Sequence, residues 1–159
     1  MRKRIGVQTF EFRPGHGVLP ILFGMPCESV RNALDAEPTA IMRSDLVPGL
    51  VREEYEGLVG VDYDVGGKVF NVAFVPGIAE VLVGKRKLVS LSRVINPLRT
   101  LYRLDRHPVE EVGFIIFPNI GAAVTGYHDG DISQRAVHLF KPGTWDIRQA
   151  RPVNLSAFG

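Results

Sequence analysis

The sequence predicts an α+β fold, a curved antiparallel sheet of about six to eight strands with two short helices packed on one face. Short apolar stretches with a two-residue alternation recur along the chain, and the turns between them contain Gly, Pro or Asn. Short turns of this kind join antiparallel strands. Two further stretches carry apolar residues three and four positions apart, as amphipathic helices do. After a short lead-in, a unit of one helix and three strands is repeated in outline.

The two helices are predicted near residues 26–34 and 93–104. Pro26 suits a first helical position, because the N–H that proline lacks has no partner there. Cys27, Val30 and Leu34 follow on one face, so the cysteine is expected to be buried as a small apolar residue. In the second helix, Asn96 is the expected N-cap.

The expected strands lie on both sides of the second helix. Gly66-Gly67 predicts a tight hairpin, since glycine adopts the positive φ that such turns need. Residues 39–57 show little periodicity, and residues 145–159 are predicted to be an irregular tail. The strand-like stretches are 9–12, 18–23, 58–64, 68–75, 80–83, 88–91, 112–117, 120–127 and 135–140.

Length and composition are those of one globular domain, residues 1–159. The only cysteine is Cys27, so no intrachain disulfide can form. No apolar run is long enough for a signal peptide or a membrane helix, and the expected location is the cytoplasm. The 19 basic and 17 acidic residues nearly cancel, which argues against nucleic-acid binding as the main function.

The sequence contains no phosphate-binding glycine motif and no nucleophile elbow, so no cofactor and no enzymatic activity are predicted. An alternative hypothesis is a small hydrolase or transferase that uses Cys27 with a histidine, or the region of His128 and Asp129. Because Asp-Gly-Asp is also typical of turns, a metal site is not predicted there. A third hypothesis is nucleic-acid binding through the basic hairpin at residues 85–87, whose simpler interpretation is a solvated turn.

Two surfaces are the predicted docking sites for a protein partner. Both combine charged groups, which steer association, with aromatic side chains, which bury area in an interface. They comprise Glu53, Glu54, Tyr55, Glu56, Asp62 and Asp64 in the first surface, and Tyr127, His128, Asp129 and Asp131 in the second.

Residues 23–34 have the sequence Phe-Gly-Met-Pro-Cys-Glu-Ser-Val-Arg-Asn-Ala-Leu and are followed by Pro38. This stretch resembles the Gly-Met-Thr, Val, Leu-Gly-x-Pro signature of bacterial small outer-membrane lipoproteins and β-lactamase-inhibitor-like folds. The resemblance implies a helix on an antiparallel sheet and a protein-binding function. Pro26 replaces the usual Thr, and Asp35-Ala36 replaces the usual Gly. No lipoprotein signal is present, so an envelope function is not implied.

A second stretch is similar to small, mostly uncharacterised bacterial proteins, some of which have immunity roles in toxin–antitoxin-like systems. It includes residues 111–117, 120–131 and 135–140, and Trp145-Asp146. The resemblance implies a bacterial origin and a cognate toxin as partner. From the sequence we therefore predict a protein-binding module, and the resemblance implies the toxin-neutralising immunity type.

Overall fold

The computed structural model describes residues 5–6, 8–91, 95–127 and 134–155. The two helices are α1 (Cys27–Leu34) and α2 (Leu98–Leu104). The strands are β1 (Gln8–Arg13), β2 (Gly17–Leu19), β3 (Ile21–Leu22), β4 (Ala40–Arg43), β5 (Val51–Tyr55), β6 (Val59–Tyr63), β7 (Val69–Phe74), β8 (Ala79–Val83), β9 (Arg86–Val89), β10 (Val109–Glu111), β11 (Phe114–Phe117), β12 (Ala122–Thr125), β13 (Ala136–Phe140) and β14 (Arg151–Pro152).

The strands form two sheets, where the sequence predicted one. The larger sheet has nine strands in the order β14-β10-β11-β12-β13-β7-β6-β5-β4, and every neighbouring pair in it is antiparallel. The smaller sheet has five strands in the order β3-β2-β1-β8-β9. Its central pair, β1 and β8, is parallel, which is possible because a long connection separates these strands in the chain. The α+β class is confirmed, whereas the single sheet is wrong.

The predicted repeat of one helix and three strands is also wrong. Among the described residues, six strands follow α1 and five follow α2. Two of the unpredicted strands, β4 and β5, lie in the stretch 39–57 that showed little periodicity. A third, β14, lies in the predicted irregular tail.

Both helices begin close to the predicted positions. Cys27 is the first residue of α1, and Val30 and Leu34 are buried. At the start of α2, the side-chain oxygen of Asn96 accepts a hydrogen bond from the Leu98 N–H at 3.0 Å, which is the expected capping contact. The described part of the chain contains no helix of the length and apolarity that a membrane crossing requires.

The main hydrophobic core lies between the two sheets and includes the buried faces of both helices. The rings of Phe10 in β1 and Phe74 in β7 meet edge to face with centroids 5.0 Å apart. A smaller cluster lies on the opposite, outer face of the larger sheet. There Trp145 stacks on Phe140, with centroids 4.6 Å apart, so part of the predicted tail covers this face.

Two turns in the second half of the chain depend on glycine. Gly121 has φ +79°, and a Cβ atom on it would lie 2.0 Å from the Phe140 carbonyl oxygen. Val112 was predicted to begin a strand, but it lies in the β10–β11 turn with φ 48° and is 91% exposed. Gly113 follows it at φ 83°, and this tight turn explains why the strand begins two residues later than predicted.

Candidate protein-binding edge

Strand β4 forms one edge of the larger sheet and pairs, among the described strands, only with β5. The Ser44 N–H donates to the Leu50 carbonyl at 3.0 Å. Main-chain groups alternate in direction along an antiparallel strand, so those of Ile41 and Arg43 point away from β5. Both residues therefore offer main-chain donors and acceptors to an added strand.

Exposed apolar side chains concentrate at this edge. Ile41 and Met42 are 50% and 45% exposed, and in the following loop Leu46 is 92% exposed. Val47 and Val65 are also exposed nearby. These five are half of the ten large apolar side chains that are exposed among the described residues. Such a concentration is typical of an interaction surface, whereas isolated exposed apolar residues are ordinary.

An open cleft flanks β4 on each face of the sheet. The outer cleft, about 440 Å³, has Met42, Leu50 and Phe70 among its apolar walls. The inner cleft, about 260 Å³, lies on the side of the core and is lined by Ile41 and Val65, among others. Successive side chains of an added strand would point alternately to the two faces of the sheet on which these clefts lie.

Arg43 lines both clefts and is exposed. Neither a hydrogen bond nor an ion pair to another side chain is found for it in the described ranges. The other two arginines at this edge are paired, Arg31 with Glu53 and Arg52 with Asp62. Arg43 therefore contributes to the edge a positive charge that is not paired with a side chain of the described ranges.

The wall of the inner cleft contains a buried polar cluster around Glu53. Arg31 Nε donates to Glu53 Oε2 at 3.1 Å, and Arg31 Nη2 binds the same oxygen. The hydroxyls of Tyr55 and Tyr63 donate to Oε1 at 3.3 Å and 3.0 Å. The hydrogen bond to Glu53 raises the pKa of Arg31, while burial and the Glu53 charge raise the pKa values of both tyrosines. The cluster holds α1 against β5 and β6.

This cluster corrects the first predicted docking surface. Glu53 is 2% exposed and Tyr55 is fully buried, so neither can meet a partner in the folded protein. The residues of the acidic stretch 53–56 do not all lie on the surface, because alternate residues of β5 face the core. Glu53 is one of the inward residues, and Arg31 compensates the charge of its carboxylate.

A second polar row crosses the outer face of the larger sheet. Arg52 binds Asp62 through two hydrogen bonds of 2.7 Å. The side-chain amide of Asn71 donates to Asp62 Oδ2 at 2.7 Å and lies 3.4 Å from His138 Nδ1. Burial, followed by the nearby Arg52 charge, lowers the pKa of His138 to about 4. Asp62 is thus engaged within the chain, which reduces what it can offer to a partner.

The other residues of the predicted docking surfaces are scattered. Glu54 and Glu56 are partly exposed, and Asp64 accepts main-chain hydrogen bonds in the β6–β7 hairpin. Tyr127 is partly buried, with the Arg135 guanidinium 5.3 Å from its ring centre. Burial raises the pKa of Tyr127. The remaining members of the second surface, His128, Asp129 and Asp131, lie outside the described residues.

Cys27 is exposed, contrary to the prediction that it is buried beside Val30 and Leu34. It lines the inner cleft, close to Arg31. None of the histidines in the described ranges lines this cleft, so a Cys–His pair is not formed there by those residues. The described residues also bring together no group of three His, Cys, Asp or Glu side chains that could hold a metal ion.

The basic hairpin lies on the surface, at one edge of the smaller sheet. Residues 85–87 are exposed at the β8–β9 turn, where Gly84 has φ 59°. Lys87 Nζ lies 3.3 Å from Glu80 Oε1, so part of the positive charge is compensated on the neighbouring strand.

Sequence reasoning missed the residues that form the edge, which are Ile41, Met42 and Arg43. One signal was available, because the apolar pair at positions 41 and 42 lies between the turn residues Pro38 and Pro48. Four residues are too few for periodicity to distinguish a strand from a loop. A comparison of the chain with family models, curated proteins and solved structures finds no match. Function is therefore inferred from the geometry of the chain itself.

Proposed function

We propose that the protein is a protein-binding module that accepts an extended segment of its partner as an added strand along β4. The observation that supports this most strongly is the unpaired main chain of Ile41 and Arg43, which lies between two clefts. In strand addition, main-chain hydrogen bonds provide affinity, and clefts for alternate side chains provide specificity. The edge of the larger sheet offers both.

The other sheet edges differ from β4 in a way that supports the proposal. Proteins protect sheet edges with short strands, charges or proline, since an open edge pairs with other chains. Strands β3 and β14 have only two residues each, and β14 contains Pro152. Strand β9 begins with the exposed cations Arg86 and Lys87. Strand β4 instead presents Ile41 and Met42 to solvent.

The buried cluster gives the edge a rigid support. Binding costs less conformational entropy when the template strand is already ordered, because only the incoming strand must then be ordered. The contacts of Glu53 with Arg31, Tyr55 and Tyr63 fix β5, which is the strand that holds β4. The resemblance to immunity-type proteins makes a cognate toxin the first candidate partner, encoded by a neighbouring gene.

The test compares two substitutions at one position. Ile41→Pro removes the outward N–H, which β5 does not use, whereas Ile41→Ala shortens the side chain and keeps that N–H. Both variants should remain folded. We expect a tagged wild-type chain to copurify the product of the neighbouring gene from the native host, and Ile41→Pro to lose it by about tenfold more than Ile41→Ala. Equal retention by the two variants would contradict strand addition at β4.

A further inference from the structure

The charge at β4 specifies which kind of strand can bind there. Two of the carboxylates that line the clefts are engaged with arginines, since Glu53 binds Arg31 and Asp62 binds Arg52. A third, Asp64, accepts main-chain hydrogen bonds at 2.9 Å and 3.0 Å. Arg43 remains as the cation without a side-chain partner in the described ranges, and it lies on the strand to which the partner would add.

The register of an added strand places a particular partner residue opposite each residue of β4. Directly opposed side chains in an antiparallel pair have Cβ atoms about 4.5–5.5 Å apart and lie on the same face of the sheet. A carboxylate opposite Arg43 would therefore form an ion pair. A residue opposite Met42 would lie on the face of the outer cleft, whose walls include Leu50 and Phe70. One opposite Ile41 would face the inner cleft beside Val65.

We infer that the partner of β4 is an extended protein segment with an acidic residue followed by two apolar residues. This inference rests on the proposed strand addition. The order of these three partner residues follows from the antiparallel direction. From its N-terminal end onward, the added strand places successive residues opposite Arg43, Met42 and Ile41. Antiparallel addition is the more stable arrangement per residue, and it continues the pattern of the larger sheet. The acidic residue supplies the negative counter-charge that Arg43 lacks, and the two apolar residues cover the exposed apolar side chains of the edge.

Two short capped peptides test the inference, one with the core Thr-Glu-Val-Val-Thr and one with Lys in place of Glu. Each is titrated into the full chain while the amide NMR signals of Ile41 and Arg43 are followed. We expect the Glu peptide to bind about fivefold more tightly, because an exposed ion pair contributes up to roughly 1 kcal/mol. Arg43→Glu should reverse the preference and Arg43→Lys should keep it. Arg86→Glu makes the same charge change at the distant β9 and should leave the preference unaltered.

The outcomes separate this inference from the proposed function. If both peptides shift Ile41 and Arg43 equally, strand addition stands and the acidic partner is overturned. If neither peptide binds, although the natural partner protects the amides of Ile41 and Arg43 from hydrogen exchange, the inferred acidic segment is again overturned. The proposed function then stands. If the natural partner binds elsewhere, both fail. If Arg86→Glu also abolishes the preference for the Glu peptide, the preference reflects the net charge of the protein. That result would overturn the role of Arg43.

Discussion

Arg31 on helix α1 and Glu53 on strand β5 are joined by a hydrogen bond of 3.1 Å between Nε and Oε2. The two residues are 22 positions apart, and the contact ties the helix to the strand that carries the β4 edge. A buried carboxylate is costly without a counter-charge, so the pair is also what allows Glu53 to occupy an inward position.

Glu53→Ala should destabilise the protein by about 2–4 kcal/mol, because it leaves the Arg31 charge and the hydroxyls of Tyr55 and Tyr63 without their acceptor. The matched control is Glu54→Ala on the same strand, where the side chain is partly exposed and the cost should stay below about 1 kcal/mol. Urea unfolding measures both values. Equal costs for the two variants would show that the cluster does not stabilise the fold.

Acid should destabilise the protein through His138. Its pKa is lowered from 6.5 to about 4 in the folded state, so as the pH falls the unfolded chain takes up this proton first. Through His138, the free energy of unfolding should therefore be about 2 kcal/mol lower at about pH 5 than at about pH 7. His138→Gln should remove that part of the slope, and His16→Gln at an exposed turn is the control substitution. Parallel slopes for wild type and His138→Gln would contradict the burial of a neutral ring.

Gly121→Ala should prevent folding or cost more than about 3 kcal/mol, because the new Cβ would meet the Phe140 carbonyl oxygen at 2.0 Å. Gly143→Ala is the control, since Gly143 has a similar φ of +89° but nothing within 4 Å of an added Cβ. The control should cost only about 1 kcal/mol, which is the strain of a left-handed alanine. Thermal unfolding measures the loss of stability in the two variants. The difference between them separates the clash with the Phe140 carbonyl from the strain of a positive φ.

Much of the local structure was predictable because it depends on neighbouring residues. The Asn96 cap and the Gly66-Gly67 hairpin are short-range features, and the structure contains both. Whether β1 and β8 pair in parallel could not be predicted, since it depends on contacts between distant parts of the chain. The same holds for the division into two sheets.

The candidate site was harder to predict for a related reason. Glu53 looked like a surface residue because its compensating charge, Arg31, lies 22 residues earlier on another element. Cys27 looked like a core residue because it shares helical spacing with Val30 and Leu34, yet it lies in the first turn, where the cleft leaves it exposed. The open edge at Ile41 is a property of the sheet order, which the sequence does not display.

Cys27 should react with iodoacetamide in the native protein, because its thiol is exposed. The residue lines the inner cleft beside β4, so a bulky maleimide at this position should weaken partner binding by about tenfold or more. Mass spectrometry measures the labelling, and a pull-down of the natural partner measures the loss. Cys27→Ser treated with the same reagent should bind normally. Reaction only after denaturation would contradict the exposed position of the thiol.

Amide hydrogen exchange of Ile41 and Arg43, measured for the free chain and for its complex with the natural partner, tests strand addition most directly. In the free protein these amides should exchange fast, while that of Met42, which faces β5, should be protected. In the complex, Ile41 and Arg43 should become protected at least as strongly as Met42. A stable complex in which both amides still exchange at the rate of the free protein would contradict the central claim.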